Sequence, residues 1–141
     1  MIKFRGKLKE GDGWVYGHYY EVPAPLQPFG PAEDPECNIV FLDPNSVSDW
    51  NMPRKMVRAI VKKETVGQFT GKKDIDKKEI YKDDILECKL NSGKTEYYYI
   101  TYNEEDCCFE CINKDKSSFI APNIWNQLKV VGNIYENADL L

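Results

Sequence analysis

The chain has 141 residues, of which 42% are hydrophobic, 13% aromatic and 30% charged, and its formal net charge is −4. This length is typical of one domain, and the composition excludes the low hydrophobicity of a disordered chain. A net negative charge argues against non-specific coating of DNA, because the protein as a whole repels phosphate. The longest purely apolar run is Ile39–Leu42, so neither a membrane span nor a signal peptide is predicted, and we expect a cytoplasmic protein.

The N-terminal part of the chain predicts β-structure around a proline-rich loop. Residues 2–20 alternate in polarity on both sides of the glycine-rich stretch Glu10–Gly13, which is a strong hairpin signal. Five of the eight prolines follow in residues 23–35, and a segment that lacks those amide donors cannot enter the interior of a sheet. Residues 38–42 and 57–71 predict further β-structure, with a short helical turn between these two segments.

The C-terminal half predicts a meander of short strands. Three strand candidates, residues 83–90, 94–102 and 107–112, are separated by stretches rich in Asn, Gly and acidic residues. A single helical turn that begins at Pro122 and a last strand over residues 129–135 complete this half.

These elements together predict a mainly β protein with minor α. We expect an N-terminal β-hairpin layer packed on a C-terminal small, SH3-like barrel formed by residues 78–135. The prediction is one domain over residues 1–141, with an N-terminal β lobe of about residues 1–70 and a C-terminal small-barrel lobe of about residues 71–141.

Residues 71–86, GKKDIDKKEIYKDDIL, form the most densely charged segment. Asp74 and Asp76 resemble the start of a calcium-binding loop, but Lys78 stands at the fifth position and the glycine expected after it is missing. The lysines of the segment would also repel a cation. Because the charges alternate in sign and cancel, we interpret the segment as a solvated hairpin turn between two strands.

The five cysteines are Cys37, Cys88, Cys107, Cys108 and Cys111. Cys108 and Cys111 form one C-x-x-C pair, but a structural zinc site of this kind needs a second pair. Residues four apart on a strand, such as Cys107 and Cys111, lie about 13 Å from each other and cannot chelate one ion. We therefore predict that this cluster supplies small buried side chains, and that the thiols are free in a reducing compartment.

No catalytic, cofactor-binding or metal-ligating residue is predicted. His18 is the single histidine, and because no spacing pairs it with a cysteine nucleophile, we interpret it as a surface residue. No phosphate-binding or dinucleotide-binding glycine pattern occurs. Adjacent carboxylates such as Asp83 and Asp84 would point to opposite faces of a strand, so they do not form a shared acid–base site.

One basic cluster falls within ten residues and contains no acid; it consists of Arg54, Lys55, Arg58, Lys62 and Lys63. These residues are the candidate contacts for a nucleic acid. If the segment is a strand, however, Arg58 and Lys62 share one face while Lys55 and Lys63 share the other. The five charges would then not meet one phosphate backbone.

Three segments carry a pattern that extends from one end of the chain to the other: KFRGK…GDGWVYG (3–17), ETVGQFTGKKDIDKKEIYKDDIL (64–86) and VVGNIYENADLL (130–141). In this order they resemble the YopX-like family of phage and prophage proteins. Asp83, and Lys77 or Lys78, stand where the family commonly has glycine, which leaves a left-handed backbone at Asp83 open. The resemblance implies a β-rich fold and a temperate-phage origin, and it supplies no catalytic residues.

We therefore expect the protein to function by binding a partner. The first hypothesis is a non-enzymatic phage accessory protein that binds an unknown host or phage protein, or further copies of itself as a homo-oligomer, through exposed aromatic residues and the proline-rich loop. The alternative is a nucleic-acid-binding module that uses the basic cluster, and a thiol-dependent enzyme is a third hypothesis. No cofactor and no membrane association are expected.

Overall fold

The computed structural model describes residues 1–141. The chain forms two compact units, Ile2–Val66 and Gly67–Leu141. Both units consist mainly of antiparallel β-strands, and the helical part is limited to the 3₁₀ turns Lys63–Thr65, Pro122–Gln127 and Ala138–Leu140. The prediction of a mainly β protein is confirmed. None of these helical turns has the length and hydropathy that a membrane-spanning helix requires.

The unit Ile2–Val66 contains four antiparallel strands in the order β4-β3-β2-β1. They are β1 (Phe4–Lys7), β2 (Trp14–Val22), β3 (Glu36–Leu42) and β4 (Met56–Ile60). The hairpin predicted around the glycine-rich turn is confirmed by β1 and β2, whose register places Phe4 opposite Gly17 and Lys7 opposite Trp14. The proline-rich segment forms the loop between β2 and β3, as its lack of amide donors predicts.

Alternation along these strands buries one face of this sheet. Its core is a cluster of Cys37, Ile39 and Val61, against which partly buried side chains from β1, β2 and β3 pack. Gly17 is required where β2 passes β3, because a Cβ at that position would overlap the carbonyl group of Val40. The close approach of the two backbones therefore requires glycine in the middle of β2.

The prediction of a short helical turn between β3 and β4 is wrong. Asp49 and Met52 instead form a tight turn, in which the Met52 N–H donates to the Asp49 carbonyl oxygen at 2.9 Å. Pro53 gives the physical reason, since a residue that precedes proline is driven out of the helical region.

The unit Gly67–Leu141 contains a hairpin and a five-stranded antiparallel sheet of order β10-β9-β8-β7-β11. The hairpin strands are β5 (Gly67–Lys73) and β6 (Glu79–Tyr81), and the sheet strands are β7 (Asp84–Lys89), β8 (Thr95–Asn103), β9 (Cys108–Ile112), β10 (Phe119–Ile120) and β11 (Lys129–Asn133). The predicted meander is confirmed by continuous pairing of β7 with β8 and of β8 with β9.

The core of this unit lies on one face of the five-stranded sheet. It consists of Ile80, Leu86, Tyr98, Ile100, Cys111, Ile120, Trp125, Leu128 and Val130. Trp125 enters it from the 3₁₀ turn Pro122–Gln127, and its Nε1–H donates to the Ile120 carbonyl oxygen at 2.8 Å. β10 and β11 are the edges of the sheet and no pairing joins them, so the SH3-like barrel predicted for residues 78–135 is not confirmed.

Candidate binding surface

The four-stranded sheet has a second face, opposite its core, that is open and largely apolar. The strand register places Tyr20 beside Asn38 and Ile60, and Leu42 beside Met56. Six large side chains of this face are between 37% and 49% exposed: Tyr16, Tyr20, Val22, Leu42, Met56 and Ile60. We call this surface of β2, β3 and β4 the open face.

The open face continues onto the loop between β3 and β4. Three strands about 4.8 Å apart, with about five residues each, give the open face a footprint of roughly 250 Å². The adjoining loop adds Val47, Trp50 and Met52, and the Trp50 side chain is 95% exposed. Contiguous exposed apolar patches larger than a few hundred Å² often mark interaction sites.

The five residues of the basic cluster do not form one surface. Arg54 and Lys55 lie in the loop before β4, Arg58 lies on β4, and Lys62 and Lys63 follow the strand. Arg58 Nη1 lies 3.2 Å from Glu36 Oε1. Lys63 Nζ lies 3.8 Å from Asp34 Oδ1. Two of the five positive charges therefore have acidic neighbours that precede them by more than twenty residues in the sequence.

Arg58 lies on the open face among polar and aromatic side chains. The Arg58 guanidinium donates a hydrogen bond to the Tyr20 hydroxyl oxygen, and this bond together with the negative charge of Glu36 raises the pKa of the guanidinium. Tyr16, His18 and Tyr20 alternate along β2, and His18 and Arg58 are both paired with Val40 of β3. Tyrosine and arginine are enriched where proteins bind one another, and aromatic rows of this kind also stack nucleic-acid bases.

The densely charged segment forms a hairpin turn, as predicted, but it is not fully solvated. Asp74 is only 1% exposed. Its Oδ1 accepts hydrogen bonds from the backbone N–H groups of Asp76 and Lys78, both at 2.9 Å. Its Oδ2 accepts one from the N–H of Val130 at 2.9 Å. Asp74 thus holds the turn to the edge strand β11 and has a structural role.

Asp83 and Asp84 are also buried and also bonded within the fold. Asp83 Oδ2 accepts a hydrogen bond from the Tyr135 hydroxyl group at 2.6 Å and lies 2.8 Å from Lys82 Nζ. Asp84 Oδ2 accepts one from the N–H of Tyr81 at 2.8 Å. The acids that make residues 71–86 look like a site therefore connect the hairpin to β7 and to the segment after β11.

Two non-glycine residues of the densely charged segment have a left-handed backbone, and the resemblance places glycine at one of them, Asp83, and at either Lys77 or Lys78. Lys77 has φ of 66° and Asp83 has φ of 69°. A side chain at such a position costs about 1–2 kcal/mol relative to the right-handed region. At Asp83 the bonds of the buried carboxylate offset this cost, whereas Lys77 is exposed.

The segments 64–86 and 130–141, which carry most of the resemblance, therefore meet through the side chains of Asp74 and Asp83.

The sequence profile of the family described as YopX protein matches residues 31–141. The chain belongs to this family. The matched range begins within the proline-rich loop, so the N-terminal segment of the resemblance, residues 3–17, lies outside it. No curated protein matches the chain.

The cysteines of this YopX-family protein are all free, and they differ in burial. Cys111 is buried, and burial raises the pKa of its thiol to about 12. Cys107 and Cys108 are exposed, so the prediction of buried side chains is right for Cys111 and wrong for these two. Cys107 is exposed because it lies in the tight turn that leads into β9, with φ of 52°, and Cys108 is the exposed first residue of that strand. No group of three or more His, Cys, Asp or Glu side chains is placed to hold a metal ion.

The open face is the feature of this YopX-family protein that sequence reasoning missed. The alternation along β2 was visible, but aromatic residues occupy both faces of that strand. Tyr19 packs against the core with Phe4, whereas Tyr16 and Tyr20 are exposed. Only the three-dimensional arrangement distinguishes the covered face from the open one.

Proposed function

We propose that this protein is a phage or prophage accessory protein that acts in the bacterial cytoplasm without catalysis, by binding a host or phage protein through the open face. The observation that supports the proposal is the concentration of partly exposed Tyr, Val, Leu, Met and Ile side chains on one side of β2, β3 and β4. Exposed apolar patches that are contiguous in this way mark interaction surfaces in soluble proteins.

The composition of the open face favours a protein partner. Tyrosine, methionine and arginine are enriched at protein interfaces, and tryptophan and tyrosine are frequent hot spots. Trp50 projects into solvent from the adjoining loop and offers a large anchor for a partner pocket. Because a stable interface buries about 800 Å² on each partner, the partner must contact the loop as well as the strands.

The buried acids support a non-enzymatic function. Asp74, Asp83 and Asp84 are the buried acids of the chain. Their oxygens accept hydrogen bonds from backbone N–H groups and from Tyr135. A carboxylate engaged in this way stabilises the fold, and it would have to lose those bonds to act on a substrate.

The experiment compares capture of proteins from phage-infected bacterial lysate by the wild-type protein and by an open-face variant. Leu42→Lys combined with Met56→Lys places two charges at opposite positions on the open face, where both side chains are exposed. The control is Ile75→Lys, an equally exposed apolar residue in the other unit. We expect the open-face variant to lose partners that the control retains.

A positional readout accompanies the capture experiment. Hydrogen exchange of the wild-type protein with a captured partner should slow at β2, β3 and β4. Capture that is the same for the wild type and the open-face variant, with no change in exchange at these strands, would refute the proposal.

A nucleic-acid-binding module is the second candidate, and it is favoured by the row of Tyr16, His18 and Tyr20 beside Arg58. Fluorescence anisotropy with labelled oligonucleotides at about 50 and 200 mM salt tests it. Five phosphate contacts would give a logarithmic salt slope of about −3.5 on single strands and −4.5 on duplex. Because Arg58 and Lys63 already have acidic neighbours, we expect a slope no steeper than about −2 on single strands. Tight binding with the steeper slope, abolished by Arg58→Glu with Lys62→Glu, would place this candidate first.

A further inference from the structure

β4 is an edge strand, and part of its outer side has no hydrogen-bond partner. It pairs with β3 on its inner side. In this ladder the Val61 N–H donates to the Cys37 carbonyl oxygen at 2.9 Å, so the odd-numbered residues of β4 direct their backbone groups to β3. Bonded positions alternate along an antiparallel strand, and the N–H and C=O groups of Met56 and Arg58 therefore point away from β3.

The outer side of β4 is closed at one end and open at the other. At the closed end the Lys9 N–H donates to the Ile60 carbonyl oxygen at 3.0 Å. At the open end no group of the protein forms a hydrogen bond with the backbone of Met56 or Arg58, and both residues are exposed. An exposed strand edge with free N–H and C=O groups is a template for a further strand.

The charges along this edge indicate which kind of strand it accepts. Residues 50–63, which include β4, carry five positive charges and no acid. Two of the five have the acidic neighbours described above, whereas Arg54, Lys55 and Lys62 form no ion pair. Positive charges on an edge strand oppose pairing with the same edge of a second copy, because the like charges repel. The same charges attract an acidic segment.

We propose that β4 binds an extended acidic segment of the protein partner, which joins the sheet as a further strand beside Met56 and Arg58. In strand addition of this kind, main-chain hydrogen bonds provide affinity and alternate side chains provide specificity. The inference rests on the proposed function in that the partner is a protein. It adds the chemical class of the segment that the partner presents and the edge that receives it.

The side chains of β4 define a pattern for the bound segment. Positions beside Lys55 and Arg58 take acidic residues, because opposite charges on neighbouring strands stabilise a sheet. Positions beside Met56 and the half-buried Val57 take apolar residues. The pattern is acid–apolar–apolar–acid. Since it reads the same in both directions, it holds for a parallel and for an antiparallel segment.

The experiment is a titration of the isotope-labelled full chain with the synthetic peptide TEVVET, followed by amide chemical shifts up to about 1 mM peptide. The peptide TKVVKT is the charge-reversed control. We expect the amide signals of Met56 and Arg58 to move downfield, because their N–H groups gain acceptors. Those of Val57 and Ala59, which already bond to β3, should move less. TEVVET should bind at least tenfold more tightly than TKVVKT.

A pair of substitutions at Met56 isolates the main-chain contact. Met56→Ala and Met56→Pro both remove the side chain, but only proline also removes the outward N–H. Proline is tolerated at the first residue of an edge strand, and this N–H makes no bond to β3, so the pairing of β4 should persist. Met56→Pro should bind TEVVET about two- to tenfold more weakly than Met56→Ala, the range that one hydrogen bond contributes.

A charge reversal at Lys55 tests the acidic character of the segment. Lys55→Glu should weaken binding of TEVVET and strengthen binding of TKVVKT, because the neighbouring charge changes sign. Lys72→Glu is the matched control, since Lys72 is an exposed lysine in the other unit, and it should bind both peptides as the wild type does.

Three results would overturn the inference. The first is the absence of shifts at Met56 and Arg58 at 1 mM TEVVET, and the second is equal binding of TEVVET and TKVVKT. The third is a shift of these two amides with protein concentration in the absence of peptide, which would identify a second copy as the occupant of the edge.

Capture from infected lysate separates this inference from the proposed function. If Met56→Pro captures every partner that Met56→Ala captures, strand addition is overturned and the open face remains the binding site. If TEVVET binds at β4 while Leu42→Lys with Met56→Lys captures every wild-type partner, the open face is refuted and strand addition stands, because this variant keeps both outward N–H groups.

Discussion

Replacing Asp74 by alanine should destabilise the protein far more than its position in a densely charged stretch of the sequence suggests. The carboxylate accepts hydrogen bonds from three backbone N–H groups, those of Asp76, Lys78 and Val130. Two of these donors belong to the turn itself and can bond to water once the carboxylate is gone. The Val130 donor lies in a buried residue of β11 and cannot do so.

The size of the effect follows from this difference between the donors. A hydrogen bond to a charged group contributes about 1.5–3 kcal/mol, and a buried donor left without a partner costs about 1–3 kcal/mol. Removal of the carboxylate also relieves its own desolvation, which offsets part of the loss. We therefore expect Asp74→Ala to lower the free energy of unfolding by about 2–4 kcal/mol, a large share of the 5–15 kcal/mol typical of a domain.

Asp76→Ala is the matched control from the same turn. The Asp76 side chain is 62% exposed, and its Oδ2 lies 3.7 Å from Lys129 Nζ, so its ion pair should contribute less than about 1 kcal/mol. Urea unfolding followed by circular dichroism measures both variants, and hydrogen exchange should accelerate selectively at the Val130 amide in Asp74→Ala. Equal destabilisation by the two changes, or an unaltered Val130 amide, would show that the side chain of Asp74 does not hold the turn to β11.

Four further predictions concern the backbone, the thiols and the metal content. Lys77→Gly should raise the free energy of unfolding by about 0.5–1 kcal/mol, because glycine adopts its left-handed φ of 66° without strain. Asp83→Gly gains the same relief but loses the bonds to a buried carboxylate, so it should lower that free energy by about 2 kcal/mol, and a stabilised variant in urea unfolding would contradict this. Iodoacetamide at about pH 8 should label Cys107 and Cys108 before Cys111, whose thiol remains protonated there; peptide mass mapping that found all three equally labelled would speak against it. Elemental analysis of protein purified without chelator should find no stoichiometric zinc or calcium, and one zinc per chain that is lost when the C-x-x-C cysteines are changed to serine would disprove this.

The strands could be predicted because their signals are local. Alternation on either side of a glycine-rich turn gave the β1–β2 hairpin, and short apolar runs between turn residues gave the β7–β8–β9 meander. Both signals depend on residues that are near neighbours in the sequence. The helical turn expected between β3 and β4 failed for a local reason too, because Pro53 restricts Met52.

The candidate site was less accessible to sequence reasoning, because its determinants are distant in the chain. Arg58 looked like part of an uncompensated basic cluster, yet its partner Glu36 lies 22 positions earlier. Asp74 looked like a solvated charge, yet it accepts a hydrogen bond from Val130, 56 positions later. A local charge count cannot reveal either pairing. The family resemblance identified the segments that matter without stating which contacts join them.

The contacts made by the last strand also constrain synthesis of the chain on the ribosome. β7 pairs with β8 on one side and with β11 on the other, and the carboxylates of Asp74 and Asp83 bond to Val130 and Tyr135. At about 5–20 residues per second, a nascent chain that has produced β7 waits roughly 2–10 s for β11. During that interval one edge of β7 is open and can pair with a neighbouring nascent chain on the same messenger RNA. Slow translation of the codons between β9 and β11 would lengthen this exposure, so this part of the message is where synonymous changes should affect the soluble yield.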